Sequence, residues 1–273
     1  MNQPTAEEIH DADAGRDGIP VVFLHGIGGG GRSRAPQVAS FAAAGYRPIA
    51  PDLPGYGARP AVETMTFEAL AEDVEREIAW PGLDRPVLVG HSMGGMIAQT
   101  MLRRNPDGYR AAVLIGTSPA FGNPQGEFQR KFVADRLAPF AAGQTIAQMA
   151  GHAIDGMMGP GAEQEGRRLA TDIFAATPES TYRAAVLCLV TFDERANLAA
   201  IGVPVLCLVG EHDRNAPPAM MERMAAKIPG AVYRCLPSLG HVPNLEARAV
   251  FDAAVLAFLD SALARSSAAA MRA

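Results

Sequence analysis

The sequence predicts an α/β protein, a mostly parallel sheet covered by helices on both faces with a helical cap inserted into it. Three observations carry that reading. From residue 19 onward, short β-branched runs alternate with longer amphipathic stretches, the pattern of parallel strands that cross over through helices. The short runs are nearly continuous in apolar residues, as expected where helices cover both faces of a sheet. The interval from Thr117 to Gly202 carries several helix-like segments punctuated by Gly and Pro and no strand alternation.

Taken in order, the first strand is expected over residues 21–24 and the first helix over 36–44, closed by Gly45. A strand at 46–50 leads through a helix at 67–78 to a third strand at 87–89 and a helix at 93–104. The fourth strand, 112–115, opens into the long interval. A connection of that length inside a compact domain must carry its own elements, and helices are expected at 125–137, 145–151, 164–175 and 180–189. A fifth strand at 205–209, a helix at 218–227 stopped by Pro229 and Gly230, a sixth strand at 232–236 and a helix at 247–264 complete the chain. Residues 266–273 are small and polar and are expected to fray. The division is therefore a core of residues 1–116 and 203–273 with a cap of residues 117–202.

Composition narrows the class of function. With 273 residues, 48% of them hydrophobic and 19% charged, the chain has an ordinary globular composition and can bury about three quarters of its unfolded surface without metal or disulfide staples. The net charge of −5 is not segregated into blocks and leaves no footprint for nucleic acid or an anionic membrane. Cys188, Cys207 and Cys235 form neither a disulfide framework nor a metal spacing and read as small core residues. The polar, acidic start is unlike a signal peptide and no segment reads as a membrane span, so a cytoplasmic location is expected. A homo-oligomer is compatible with the sequence.

The chemistry is carried by Gly90-His91-Ser92-Met93-Gly94, a G-x-S-x-G run placed between a strand and a helix. On composition alone on the order of 0.1 such runs would occur by chance, so the context matters. At a sharp strand-to-helix turn the serine hydroxyl is exposed, and glycines two residues to either side keep the crossing strand and helix clear. Serine needs a base to take its proton, and the base needs an acid to fix its tautomer. Asp213 follows the fifth strand and is the candidate acid. His241 follows the sixth and is the candidate base. The Met93 N–H, beside Ser92 at a helix N-terminus, is one candidate oxyanion donor; the second is the Ile27 N–H in the glycine-rich loop after the first strand, with Gly26 and Gly28 as alternatives.

Leu24-His25-Gly26, Asp52-Leu53-Pro54-Gly55-Tyr56-Gly57, the run around Ser92, Gly210-Glu211-His212-Asp213 and Gly240-His241 together resemble the α/β-hydrolase superfamily across residues 19–262. Within it the chain is similar to the group of 3-oxoadipate enol-lactonases, meta-cleavage carbon–carbon hydrolases, cofactor-free haloperoxidases and small esterases. The resemblance implies catalytic Ser92, Asp213 and His241, an oxyanion hole from Ile27 and Met93, a cap that contacts substrate, and no metal or organic cofactor. The superfamily opens with two antiparallel strands, for which only residues 7–10 offer a candidate here.

The other polar residues have plainer readings. His25 and His91 orient loops, Asp52 shapes a turn near the site, His212 is solvent-facing, and Glu211 is the weaker alternative to Asp213. Phe121, Phe128, Phe132, Phe140, Phe174, Met157 and Met158 divide between cap packing and an apolar substrate lining. Of Arg130, Lys131, Arg136, Arg167, Arg168 and Arg183, one that turned inward would pair with a substrate carboxylate. The expected activity is hydrolysis of a small carboxylic ester or lactone. Carbon–carbon hydrolysis of a vinylogous diketone, peracid formation and a catalytically silent binding protein are the alternatives.

Overall fold

The computed structural model describes residues 18–79, 83–123 and 125–270. Six strands, β1 (Ile19–Leu24), β2 (Tyr46–Ile49), β3 (Val87–His91), β4 (Ala111–Ile115), β5 (Val205–Gly210) and β6 (Val232–Leu236), form one sheet in the order β2-β1-β3-β4-β5-β6, and every pairing is parallel. The candidate strand at residues 7–10 lies outside the described residues.

Alternation along each strand divides the apolar run between two cores. On one face Val22 and Leu24 of β1, Leu88 of β3 and Cys207 of β5 pack with α2 (Phe67–Ala79) and α3 (Met93–Arg104). On the other, Val21, Phe23, Val87, Val89 and Leu208 pack with α1 (Ala35–Ala43) and the C-terminal helix. Helix α2 shows why: Phe67, Leu70, Ala71, Val74 and Ile78 recur at helical spacing and are all buried.

Between β4 and β5 the chain forms α4 (Glu127–Ala141), α5 (Ile146–Asp155), α6 (Gln164–Ala175) and α7 (Glu179–Leu189). A capping box starts α5, with Thr145 and Gln148 each satisfying the other's backbone N–H. Phe140, Ile146, Ile154, Phe174, Tyr182 and Val186 give these helices a small core of their own. The segment leaves and rejoins the sheet side by side: Phe121 and Gly122 N–H donate to the Phe192 carbonyl, and Glu194 N–H to that of Pro119. After β5 come α8 (Pro218–Ala225), the one-turn α9 (Pro243–Glu246) and α10 (Arg248–Ala270).

Two expectations need correction. The C-terminal helix runs to Ala270 rather than ending at 264, because Ala268, Ala269 and Ala270 extend it with the strongest helix former. Cys235 is exposed while Cys188 and Cys207 are buried; β6 is an edge strand in which only Leu236 is buried.

The strand order positions the site. From β1 the chain steps out to β2, then returns past β1 to β3 and continues to the opposite edge. The carboxyl ends of β1 and β3 therefore flank a switch point, where open α/β sheets leave a crevice. Leu24 pairs with Gly90 across this seam, which sets His25-Gly26-Ile27 alongside His91-Ser92-Met93.

Candidate active site

Ser92 occupies the turn between β3 and α3 with φ 52° and ψ −117°, a conformation that an L-residue adopts only under constraint. The constraint is visible. Its N–H donates to the Ile115 carbonyl at 2.9 Å, and its own carbonyl accepts from the Thr117 hydroxyl at 2.8 Å. A Cβ on Gly90 would strike the Gly94 carbonyl, and one on Gly94 the Leu24 carbonyl, so both glycines are required by close approach. Met93 begins α3, where the first N–H groups have no carbonyl of their own helix to bond.

Asp213 and His241 lie beyond the carboxyl ends of β5 and β6, both almost fully buried. His241 Nδ1 is 2.8 Å from Asp213 Oδ2, while Oδ1 accepts from the Asn215 and Ala216 N–H groups at 2.8 Å each. A carboxylate only accepts, so in the neutral ring the proton sits on Nδ1 and Nε2 carries the lone pair. His241 and Ser92 line the same cavity, of about 290 Å³. Glu211 is half-exposed and accepts from the Ser238 N–H, and His212 is exposed beside it; neither reaches the cavity.

Ile27 sits in a turn closed by Gly29 N–H to Gly26 O at 3.0 Å, with Gly28 at φ 70°, the type II geometry that demands glycine at its third position. Gly26, Ile27 and Gly28 all line the cavity beside Ser92, close enough that a Cβ on Gly26 would come within 3.0 Å of Ser92 Cβ. His25 fixes this loop. Its Nε2 accepts from the Leu53 N–H at 3.0 Å, which leaves Nδ1 to donate to the Gly26 carbonyl at 2.9 Å. Burial lowers its pKa from 6.5 to about 4, so the ring is neutral at pH 7. His91 is likewise held neutral by burial and by the neighbouring His241, and its Nε2 donates to the His241 carbonyl at 2.7 Å. Asp52 Oδ1 accepts from the Gly31 N–H at 2.7 Å, tying the loop after β2 to the loop after β1.

Residues 21–254 match the model of the alpha/beta hydrolase family. The chain belongs to that family. A pimeloyl-(acyl-carrier protein) methyl ester esterase of Chromobacterium violaceum is 28% identical over 258 residues, 89% of this chain and 95% of its own length. Among solved structures, the enol-lactonase of Burkholderia xenovorans superposes with a TM-score of 0.80 at 26% identity, covering 89% of this chain and 92% of that one. A thermophilic esterase of Thermogutta terrifontis, determined with malate bound, gives 0.79 at 28% identity and 90% of each chain.

In this α/β hydrolase the insertion supplies the other wall. Phe121, Phe128, Phe132, Phe174 and Met157 line the cavity, whereas Phe140 and Met158 pack within the insertion's own core. Of the six cationic side chains there, Arg136 reaches the cavity, stacked over the Phe132 ring at 5.2 Å. Lys131, Arg167 and Arg183 pair with Asp135, Asp155 and Glu179.

Two residues escape the sequence reading. Glu246, fully buried, accepts from Gly159 and Gly240 N–H through Oε2 at 2.7 Å each, and from Val242 N–H through Oε1 at 2.9 Å. It thus clamps the residues on either side of His241 and joins them to the insertion, which also accepts the His241 N–H at the Met157 carbonyl. Arg34 is 1% exposed at the end of the 3-10 turn Gly31–Arg34 and lines the cavity. No spacing marks either one, because a glutamate after a proline and an arginine in a glycine-rich loop are ordinary surface residues in most chains.

Proposed function

We propose that this hydrolase cleaves a small carboxylic ester or lactone through Ser92, His241 and Asp213 by way of an acyl-enzyme. The observation that carries the reading is one cavity shared by a strained serine and a histidine whose other ring nitrogen is bound to a buried carboxylate. His241 Nε2 takes the Ser92 proton as Oγ bonds to the carbonyl carbon, and the displaced electron pair moves to the carbonyl oxygen. The Ile27 and Met93 N–H groups hold that oxyanion, each donor contributing on the order of 3 kcal/mol. Collapse expels the alkoxide, which takes the proton from His241; in a lactone it stays tethered to the acyl group. Water, deprotonated by the same nitrogen, then releases the acid and restores Ser92.

The reading is supported by the names of the relatives, an esterase and an enol-lactonase among them, and by the cavity's size, near the lower end of small-molecule sites. Residues 117–202 act in it as a cap whose aromatic side chains close over the acyl group. Ser92→Ala is expected to lower kcat on a 4-nitrophenyl ester by about 10³- to 10⁶-fold and to abolish labelling by a fluorophosphonate, with the melting transition retained. Turnover that survives the substitution, or labelling at another residue, overturns the assignment.

A further inference from the structure

Arg34 is an anomaly in a stable fold. Its guanidinium is buried, Nε and Nη1 have no hydrogen-bond partner, and no carboxylate among the described residues pairs with it. An unpaired buried cation is costly, and an apolar side chain of similar volume would serve packing better. Such a group persists where something that visits the site completes it.

The surroundings say what kind of group that is. The described residues lining the cavity include three arginines, Arg34, Arg136 and Arg214, and neither Asp nor Glu. In a chain of net charge −5, the cavity that holds Ser92 is thus lined by cationic side chains and by no carboxylate, Asp213 standing one layer behind and bound to His241. Arg34 is also held in place from behind. Asn244 Nδ2 donates to the Ser33 carbonyl at 2.9 Å and to Gln37 Oε1 at 3.2 Å, and Gln37 Nε2 donates to the Asn244 carbonyl at 3.1 Å and to Asp252 at 3.3 Å. This buried network holds the Ser33 carbonyl just before Arg34 and the Gln37 side chain just after it, and spends none of its acceptors on the guanidinium.

We propose that Arg34 is the subsite for a carboxylate carried by the substrate, so that the preferred ester is one whose acyl chain ends in a free carboxylate. The inference rests on the ester-hydrolase reading and names its substrate class. A carboxylate offers two oxygens to the planar guanidinium and supplies the charge that the protein withholds. Burial pushes the Arg34 pKa down to about 9, and its charge helps keep His25 and His91 neutral; an anion beside it relieves all three.

The test compares kcat/KM for the 4-nitrophenyl half-esters of succinate, glutarate and adipate with that for the neutral 4-nitrophenyl alkanoates of equal chain length. At least one half-ester is expected to exceed its neutral counterpart by about tenfold or more, and Arg34→Gln to erase that ratio through KM. Glutarate, with glutaramide as the uncharged control, is expected to raise the melting temperature of the wild type and not of Arg34→Met. Arg34→Met itself should melt higher than the wild type without ligand, since it removes an unpaired buried charge. Half-esters no better than their neutral counterparts, or a preference that survives both substitutions, overturn the assignment of Arg34. Failure of every ester together with failure of fluorophosphonate labelling overturns the hydrolase reading instead, while the glutarate shift still reports on Arg34.

Discussion

On the sheet side of the cavity, Ser92 stands at a strand end and Asp213 and His241 just beyond theirs, each held by backbone hydrogen bonds, that of His241 reaching the Met157 carbonyl of the insertion. On the insertion side, Phe121, Phe128 and Phe132 meet the cavity from a loop and from α4, a helix of which only Phe140 is buried. Phe128 is 65% exposed. The contrast separates two demands. Chemistry needs atoms held to a fraction of an ångström, which a parallel sheet supplies through its ladder. Recognition of an acyl chain needs apolar area and shape, which side chains on a loosely packed helix can supply and exchange.

The strongest way to break that contrast is at Asp213, the acid of the proposed triad. Asn at position 213 can keep the Asn215 and Ala216 N–H groups on its Oδ1, yet its Nδ2 would face the imidazole with a donor where Oδ2 accepted. Asp213→Asn should leave the loop intact and lower kcat by about 10⁴-fold, because the histidine is turned into the wrong tautomer. A loss below tenfold, with unchanged melting, would reduce Asp213 to a loop-forming residue.

Glu246 tests the seam between the two sides. It is a positioning residue: its carboxylate touches the backbone on both sides of His241 and Gly159 of the insertion, and the tight packing of Gly240 against Met157 and Gly159 leaves the loop no slack. Glu246→Gln keeps an acceptor for one set of amides and turns a donor against the rest, while Glu246→Ala frees all three. The expected losses in kcat are about tenfold for Gln and about 100-fold for Ala, with KM little changed and the fluorophosphonate labelling rate falling in parallel. A lower melting temperature with full labelling rate would mean that Glu246 serves the fold alone.

The same contrast explains what the sequence makes legible. Strand ends announce themselves. An apolar strand run that ends in glycine marks Ser92 and Asp213 as candidates, whereas His241 follows a mixed strand, Val232–Leu236, and is marked only by Gly240 before it. The helices at 93–104 and 164–175 lie at the bounds the sequence predicts; α6 buries one face only, whereas α3 is buried continuously from Met93 to Leu102. Arg34 and Glu246 are invisible for the opposite reason: Glu246 joins its own loop to Gly159, 87 residues away, and Arg34 Nε and Nη1 have no partner at all. No local pattern encodes a long-range clamp or a missing partner. The three arginines of the cavity come from three separate stretches, and only Arg136 belongs to the segment where the sequence suggested a cation.

The mildest effect is expected on the insertion side. Phe128 contacts Phe121, with ring centroids 5.9 Å apart, and covers the mouth of the cavity without being enclosed by it. Phe128→Ser removes apolar surface that is already largely wet, so its contribution to a long acyl chain is on the order of 1 kcal/mol, about fivefold in kcat/KM. The loss should appear in KM for long-chain esters and vanish for acetate esters, with the melting temperature unchanged. A comparable fall in kcat for acetate esters would mean that α4 reaches the reacting carbonyl, and the division between a fixed side and an exchangeable one would have to be redrawn through that helix.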